Sequence, residues 1–337
     1  MIIVESTSDD SSTNDVLDWI FSLSNEKVTR FNDITFIENI TYKITNQKNE
    51  SVVFRANGKT FNNSRIKSFW YRRGEFTYNL IKITQDHYLL NSKIQSNNFK
   101  EQKHLNYQLY NLLTKIHGEK INTHHDNLTN KISNLAKAKD SGLNIPDTLI
   151  TNHPKELRIF SDKYEKLISK DIKFNPIKIS FNDYVINIIS PVRILDKNKA
   201  LQLFQKNKEK KANHFSLFQQ YITKKYELRI FYLKGKFYTM VIFSQANEKT
   251  KIDFRNYDTE RPNRCVPYQL PQEIEEKLHH FMQSIDMNCG SIDMIYTPEG
   301  EYVFLEVNPV GQFQWVSKNC NYDIERQIAI DLIKEKT

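Results

Sequence analysis

Apolar residues open the chain at Ile2, Ile3 and Val4 and then give way to a Ser/Asp-rich run from Ser6 to Asn14. The pattern predicts a short buried strand, a loop rich in helix-capping side chains, and a helix with Val16, Leu17, Trp19, Ile20 and Leu23 on one face. Segments 34–44 and 50–56 read as paired strands. Ile66 to Tyr71 reads as another, ending in Arg72-Arg73-Gly74, and 85–117 as mainly helical. A second region opens near Asn127. Its first helix carries Ile132, Leu135, Ala136 and Lys139 and stops at Gly142, with Pro146 preventing a restart. Leu167 to Ser169 predicts a short strand leading into Lys170.

The last third is the most regular. Glu227 to Leu233 and Lys236 to Phe243 flank Lys234-Gly235 as a hairpin. Ile274, Leu278, Phe281, Met282 and Ile285 recur at helical spacing, and a final helix is expected from about Asp323 to Lys334. Between them, Ser291 to Tyr296 and Glu301 to Val307 flank the turn sequence Thr297-Pro298-Glu299-Gly300.

This second hairpin carries the chemistry. Strand residues alternate faces, so Tyr302, Phe304, Glu306 and Asn308 are expected on one face and Val303, Leu305 and Val307 on the other. If Tyr296 pairs with Glu301, Asp293 lies opposite Phe304 and becomes a diagonal neighbour of Glu306, roughly 7–8 Å away. Two carboxylates so close repel unless something positive lies between them. Magnesium fits, because it takes hard oxygen ligands and commonly binds through one or two carboxylates plus substrate phosphates. Asn308 adds a neutral oxygen. The competing reading is an exposed polar face on an edge hairpin.

Other segments bear on the choice. Lys131 and Lys170 are candidate phosphate ligands, although a lysine so placed is more often simply a surface lysine. Phe218 to Ile222 suits a hinge with free backbone groups. Glu227 and Arg229 share a strand face. Glu227 could accept ribose hydroxyls or help hold metal, and Arg229 could stabilise a phosphoryl group. The alternative is a surface ion pair between them, which contributes little.

Composition sets bounds. The chain has 337 residues, suited to two or three packed subdomains, with 39% hydrophobic and 26% charged residues. The net charge of +8 permits an acidic partner. Lys and Arg are interleaved with Asp and Glu, however, and no nucleic-acid-binding motif is present, so DNA or RNA is not expected. Cys265, Cys289 and Cys320 are odd in number and contain no Cys-x-x-Cys pair, which argues against a disulfide framework or structural zinc. The first residues lack a signal-peptide pattern and no apolar run is long enough for a membrane span, so a cytoplasmic protein without membrane attachment is expected. His124-His125-Asp126 reads as a solvated boundary rather than a metal site.

Taken in order, Asn130-Lys131, Gly142-Leu-Asn-Ile-Pro146, Lys170, Phe218-Gln-Gln-Tyr-Ile222, Glu227-Leu-Arg229, Ser291-Ile-Asp293 and Phe304-Leu-Glu-Val-Asn-Pro-Val-Gly-Gln312 resemble the ATP-grasp superfamily. Within it, the run from Ile292 to Pro309 resembles the microviridin-type peptide ligases, the graspetide synthetases. Trp70-Tyr-Arg-Arg-Gly74 and Lys225-Tyr-Glu-Leu-Arg229 are similar to segments of the same group, with the grasp-with-spasm maturases the nearest subtype.

The resemblance implies an α/β ATP-grasp fold with α+β elements. An N-terminal α/β domain (1–126) would precede a central subdomain (127–217) and a C-terminal subdomain with the metal site (218–337). Asp293, Glu306 and Asn308 would bind Mg²⁺. Lys131, Lys170, Gln220, Tyr221, Ile222 and Glu227 would bind ATP. Arg229, and less directly Arg255, would act at the reacting phosphate. The implied reaction activates Asp or Glu side chains of a ribosomal precursor peptide, leader plus core, as acyl phosphates and closes macrocyclic esters or amides. Another ATP-grasp ligase, acting on a protein tail or small molecule, and a non-catalytic peptide- or nucleotide-binding module are the alternatives. A homodimer is expected by analogy with the family. Leader docking within 180–211 is expected from its lysines. One departure stands out: the phosphate-covering region, about 171–190, contains no glycine.

Overall fold

The computed structural model describes residues 1–46, 48–78, 88–116, 118–124, 129–172, 177–180, 184–188, 192–205, 215–252, 254, 256 and 258–334. The chain divides into two compact units. Unit 1 comprises Met1–Leu128, Met287–Cys289 and Gln312–Thr337, and unit 2 comprises Thr129–Asp286 and Gly290–Gly311.

Unit 1 is built on a four-stranded sheet of order β2-β1-β6-β8, from β1 (Ile2–Glu5), β2 (Val28–Phe31), β6 (Ser68–Tyr71) and β8 (Lys120–Ile121). Every pairing in it is parallel. Parallel strands need covered faces, and β1 is buried at all four positions as that requires. Helix α1 (Ser11–Leu23) follows β1 as expected and packs with α8 (Ile324–Ile333), the predicted last helix. Ile3, Phe69 and Tyr71 join Leu109, Tyr110 and Leu113 of α2 (Tyr88–Thr114) in one core. The same core takes Phe54 and Phe61 from a second sheet of order β5-β4-β3-β7. That sheet contains the predicted pair β3 (Phe36–Thr45) and β4 (Lys48–Ala56), with β5 (Lys59–Asn62) and β7 (Thr77–Tyr78).

Unit 2 holds two larger sheets. The first, β13-β10-β14-β9, is antiparallel: β9 (Thr148–Thr151), β10 (Lys166–Lys170), β13 (Arg193–Asp196) and β14 (Ser216–Gln220). Leu167, Leu195 and Phe218 pack under Leu157 of α4 (Pro154–Ser161) and Ala200 of α5 (Lys197–Gln205). The glycine-free region contributes a two-stranded hairpin, β11 (Ile177–Ser180) with β12 (Val185–Ile188); positions 173–176, 181–183, 189 and 190 of it lie outside the described residues.

The second sheet, β17-β16-β15-β18-β19, carries both predicted hairpins. Its strands are β15 (Tyr226–Leu233), β16 (Lys236–Ile242), β17 (Cys265–Tyr268), β18 (Cys289–Tyr296) and β19 (Tyr302–Asn308). The β15–β16 turn puts Lys234 and Gly235 at φ 49° and 92°, the left-handed pair that a two-residue hairpin requires. Helix α3 (Lys131–Asp140), capped by Asn130, packs on β19, and α6 (Gln272–Ser284) packs on α3. Gly142, at φ 79°, ends α3 as expected. The chain then runs along β19, where the Phe304 amide donates to the Asn144 carbonyl at 2.8 Å. Helix α7 (Gln314–Cys320) follows in unit 1.

Candidate active site

The β18–β19 register differs from the expected one. Tyr296 pairs with Tyr302, not Glu301, because the connecting turn takes in Glu301, whose carbonyl accepts from the Thr297 amide at 3.0 Å. The register then shifts between Asp293 and Met294. Met294 faces Phe304, Asp293 faces Glu306, and Leu305 is the extra residue of a β-bulge. The bulge exchanges the faces of the two halves of β19. Phe304 and Val307 share the buried side with Ile292 and Met294, and Phe304 lies against Phe281 at 4.8 Å between ring centroids. Val303, Glu306 and Asn308 share the opposite side with Ser291 and Asp293. The two carboxylates are therefore on one face as expected, but directly opposite rather than diagonal.

The carboxylates are neutralised from two directions. Arg229, buried on β15, donates from Nη1 to both oxygens of Asp293 at 2.8 and 2.9 Å. Lys131, the first residue of α3, reaches Glu306 Oε2 at 2.7 Å. Asn308 sits between the acids, its Nδ2 3.3 Å from Asp293 Oδ2 and 3.5 Å from Glu306 Oε1. Arg229 keeps Nη2 outside these bonds, and its buried Nε has no hydrogen-bond partner.

Glu227 and Arg229 do not pair with each other. Glu227 is buried and receives Lys224 Nζ at 2.7 Å and Ser244 Oγ at 2.6 Å, both on Oε1, so Oε2 remains to accept a hydroxyl. Burial pushes the Glu227 carboxyl above its ordinary range, against the pull of Lys224 and Ser244, and the charge of Asp293 adds to the rise. Lys224 also donates to the Ile252 carbonyl at 3.1 Å. No pattern in Lys224-Lys225-Tyr226-Glu227 marked this lysine beforehand. Ser244 was equally silent, because it reaches Glu227 only through the β15–β16 pairing.

The remaining candidates are spread over the first sheet of unit 2. Lys170 ends β10, paired with Leu217. Gln220 ends β14, and its amide donates to the Asp147 carbonyl at 2.9 Å; the Tyr221 amide donates to the Lys166 carbonyl at 3.2 Å. The expected hinge thus has two of its amides already engaged, and Ile222 is the first residue past both bonds. Arg255 lies outside the described residues, as do Lys208, Lys210 and Lys211 of the expected docking segment. So do His125 and Asp126, while His124 stacks on Tyr110 at 4.5 Å instead of standing in solvent.

The donor set fits magnesium. Asp293 and Glu306 present hard oxygens on one face, Asn308 carries a third on an amide whose nitrogen faces the acids here, and the acids' charge is matched by two cations that an arriving ion could replace. Among the described residues no group of three or more His, Cys, Asp or Glu converges, so the ion's remaining ligands would have to come from phosphate oxygens and water. No helix among the described residues is long and apolar enough to cross a membrane.

No protein-family model matches the chain. No curated protein matches it either. Solved structures do match over nearly the full length. A Chryseobacterium gregarium RiPP-associated ATP-grasp ligase, in complex with ADP and a leader and core peptide, is 24% identical; the match covers 100% of this chain and 97% of that one with a TM-score of 0.77. Macrocyclase MdnC of Microcystis aeruginosa MRC, bound with precursor peptide MdnA, is 22% identical over 98% of this chain and 99% of that one, TM-score 0.70. The ATP-grasp ligase PsnB, complexed with minimal precursor, Mg and ADP, is 17% identical over 98% and 96%, TM-score 0.72. The chain has the ATP-grasp fold.

Proposed function

We propose that the protein is an ATP-dependent peptide macrocyclase. It would activate Asp or Glu side chains of a ribosomal precursor peptide and join them to Ser/Thr hydroxyls or Lys amines of the same peptide. The observation that carries this reading is the Asp293–Glu306–Asn308 face with Arg229 and Lys131 upon it, in an ATP-grasp fold whose solved examples include proteins bound to ADP, Mg and precursor peptides.

In this reading each group has a separate task. Asp293, Glu306 and Asn308 hold Mg²⁺, which when bound offsets phosphate charge and orients the transferring phosphoryl group. Lys131 and Lys170 neutralise phosphate oxygens. Gln220, Tyr221 and Ile222 border adenine, and Glu227 Oε2 accepts from ribose. Arg229, through Nη2, faces the phosphoryl group as it passes to the peptide carboxylate and negative charge builds on the leaving ADP, and Arg255 assists. A peptide carboxylate oxygen bonds to the γ-phosphorus as the bond to the ADP oxygen breaks. The hydroxyl or amine then attacks the acyl carbon, phosphate leaves, and the nucleophile's proton passes to solvent. Positioning and charge neutralisation carry both steps, so no protein nucleophile is needed. The same reading assigns 1–126, 127–217 and 218–337 to N-terminal, central and C-terminal domains, and a homodimer and a cytoplasmic location accompany it.

The test is to incubate the full chain with ATP, Mg²⁺ and an acidic, Ser/Thr/Lys-bearing peptide encoded beside its gene. The expected result is ADP release together with loss of one water per link by mass spectrometry. A gain of amino-acid mass would favour the tail-adding ligase. An unmodified peptide from a faithfully paired precursor would overturn the macrocyclase.

A further inference from the structure

Unit 1 contains a second concentration of unmet polar chemistry, at the C-terminal ends of its parallel strands. Such ends are where open parallel sheets bind ligands. Arg72 and Arg73 follow β6, Arg30 lies near the end of β2, and Ser6, Thr7 and Asp10 form the loop from β1 to α1. Arg72 is buried and engaged. Its Nε donates to Asp10 Oδ2 at 3.0 Å and to Ser12 Oγ at 3.1 Å, and its guanidinium lies 5.1 Å from the Phe313 ring centroid. Asp10 is held further by Ser6, Ser12 and Thr13. Arg30 is spent on Asn14, Ser6 and the Thr7 and Asp10 carbonyls.

Arg73 is different. Its Nε is 3.7 Å from Asp10 Oδ2, too long for a hydrogen bond, and its side chain is 31% exposed. Around it the buried hydrogen-bonding capacity is incomplete. Glu5 Oε2, Thr7 Oγ1, Arg30 Nε and Arg73 Nε are all buried without a partner, and all belong to the ends of β1, β2 and β6. Buried polar atoms are nearly always paired, so such a concentration points to a ligand. Arg30, Arg72 and Arg73 gather here around Asp10, with Asp33 acting on Arg30 and the Glu5 carboxyl held toward its neutral form by burial, so the cations outnumber the ionised acids. Only one planar fork, that of Arg73, is uncommitted. That geometry matches a carboxylate taken in two parallel bonds better than a phosphate, which would need more donors.

We propose that this edge of unit 1 is a carboxylate-binding site, with Arg73 as its ligand-binding group and Arg72–Asp10 as the buried pair that positions it. Taken with the macrocyclase reading, on which the identity of the ligand rests, the ligand is an acidic side chain of the peptide. The site then selects which stretch of peptide is engaged, separately from the groups that hold nucleotide.

The test uses the full chain without ATP, with N-acetylglutamate amide as the probe and N-acetylglutamine amide as its neutral counterpart. Binding is followed by NMR on the Arg73 Nε–Hε resonance and by probe titration. The expected result is that the glutamate probe shifts that resonance and the glutamine probe does not. Arg73→Gln then weakens glutamate binding about tenfold or more while ADP binding and thermal stability stay unchanged. Arg73→Lys, keeping charge without the fork, is expected to weaken it as well. Equal binding of both probes, undiminished binding by both variants, or stronger competition by inorganic phosphate would each overturn the proposal. Because no turnover is measured, failure of the peptide to condense in the earlier assay would leave this result standing, and the two readings fail separately.

Discussion

Replacing Asp293 by Asn separates what the ion pair does for stability from what the carboxylate is proposed to do for magnesium. The side chains of Arg229 and Asp293 are 10% and 15% exposed, and a single nitrogen serves both acid oxygens. Asparagine keeps the shape and one acceptor oxygen but removes the charge. A hydrogen bond to a charged group contributes about 1.5–3 kcal/mol, and removing one partner of a fully buried pair costs about 3–5 kcal/mol. With the acceptor kept and some water access, the expected cost is about 2 kcal/mol. Arg229→Met should cost about as much, because it leaves Asp293 facing Glu306 with one cation fewer. The double variant should lose less than the two singles together, with a coupling of about 2 kcal/mol. Hydrogen–deuterium exchange of peptides spanning 226–242 and 289–308 reads this locally, which matters in a chain of two units. Additivity within about 0.5 kcal/mol would refute the pair's stabilising role. Calorimetry of ADP with and without Mg²⁺ then tests the metal assignment. Asp293→Asn and the double variant should both lose the magnesium dependence while Arg229→Met keeps it, and its recovery in the double variant would remove Asp293 from the ligand set.

Lys131→Met should lower ATP turnover on the order of a hundredfold while changing stability little, since its pair with Glu306 is 30% and 18% exposed; steady-state kinetics beside thermal melts would show the split. Gly311→Ala would place a Cβ 2.1 Å from Ser291 Oγ and 2.5 Å from the Ser291 amide nitrogen, so about 3 kcal/mol or more should be lost where β18 meets the end of β19, visible as faster exchange around 289–308. Glu5 is held well above the ordinary carboxylate range by burial, against the Tyr110 hydrogen bond, with the Glu75 charge adding to the rise. Its folded form therefore binds the proton more tightly than the unfolded chain, and its contribution is present at low pH and lost as pH rises from the ordinary value through the folded one. Glu5→Gln should flatten that decline in thermal melts followed upward from the ordinary carboxylate range, and an unchanged slope would sink the assignment.

The sequence made the regular parts legible. Lys234-Gly235 announced its hairpin, Gly142 its helix end, and alternation put Asp293 and Glu306 on one face. The register was not legible, because nothing in Tyr302-Val-Phe-Leu-Glu-Val-Asn308 distinguishes an extra residue from a regular strand. Short strands such as β2, β5, β9 and β13 span four residues each, too few for a period to show. Pairings set by tertiary proximity were equally hidden. Arg72 finds Asp10 from 62 positions away, and Glu227 finds Lys224 by a bend just before β15. The family resemblance supplied the order of the candidate groups, while the structure supplied their partners.

On the proposed reading, the salt bridges from Arg229 and Lys131 would also set terms for assembly at the site. A divalent ion arriving alone must displace two cations that then have no anion to turn to. A nucleotide arriving alone must draw those same cations away from acids that would be left facing each other. Arriving together, the phosphates receive the cations and the ion receives the acids, so neither exchange leaves a charge stranded. Metal and nucleotide should therefore sharpen each other's affinity, and by the same factor in both directions. On that reading such a site would stay idle in the presence of either one and commit only to the pair.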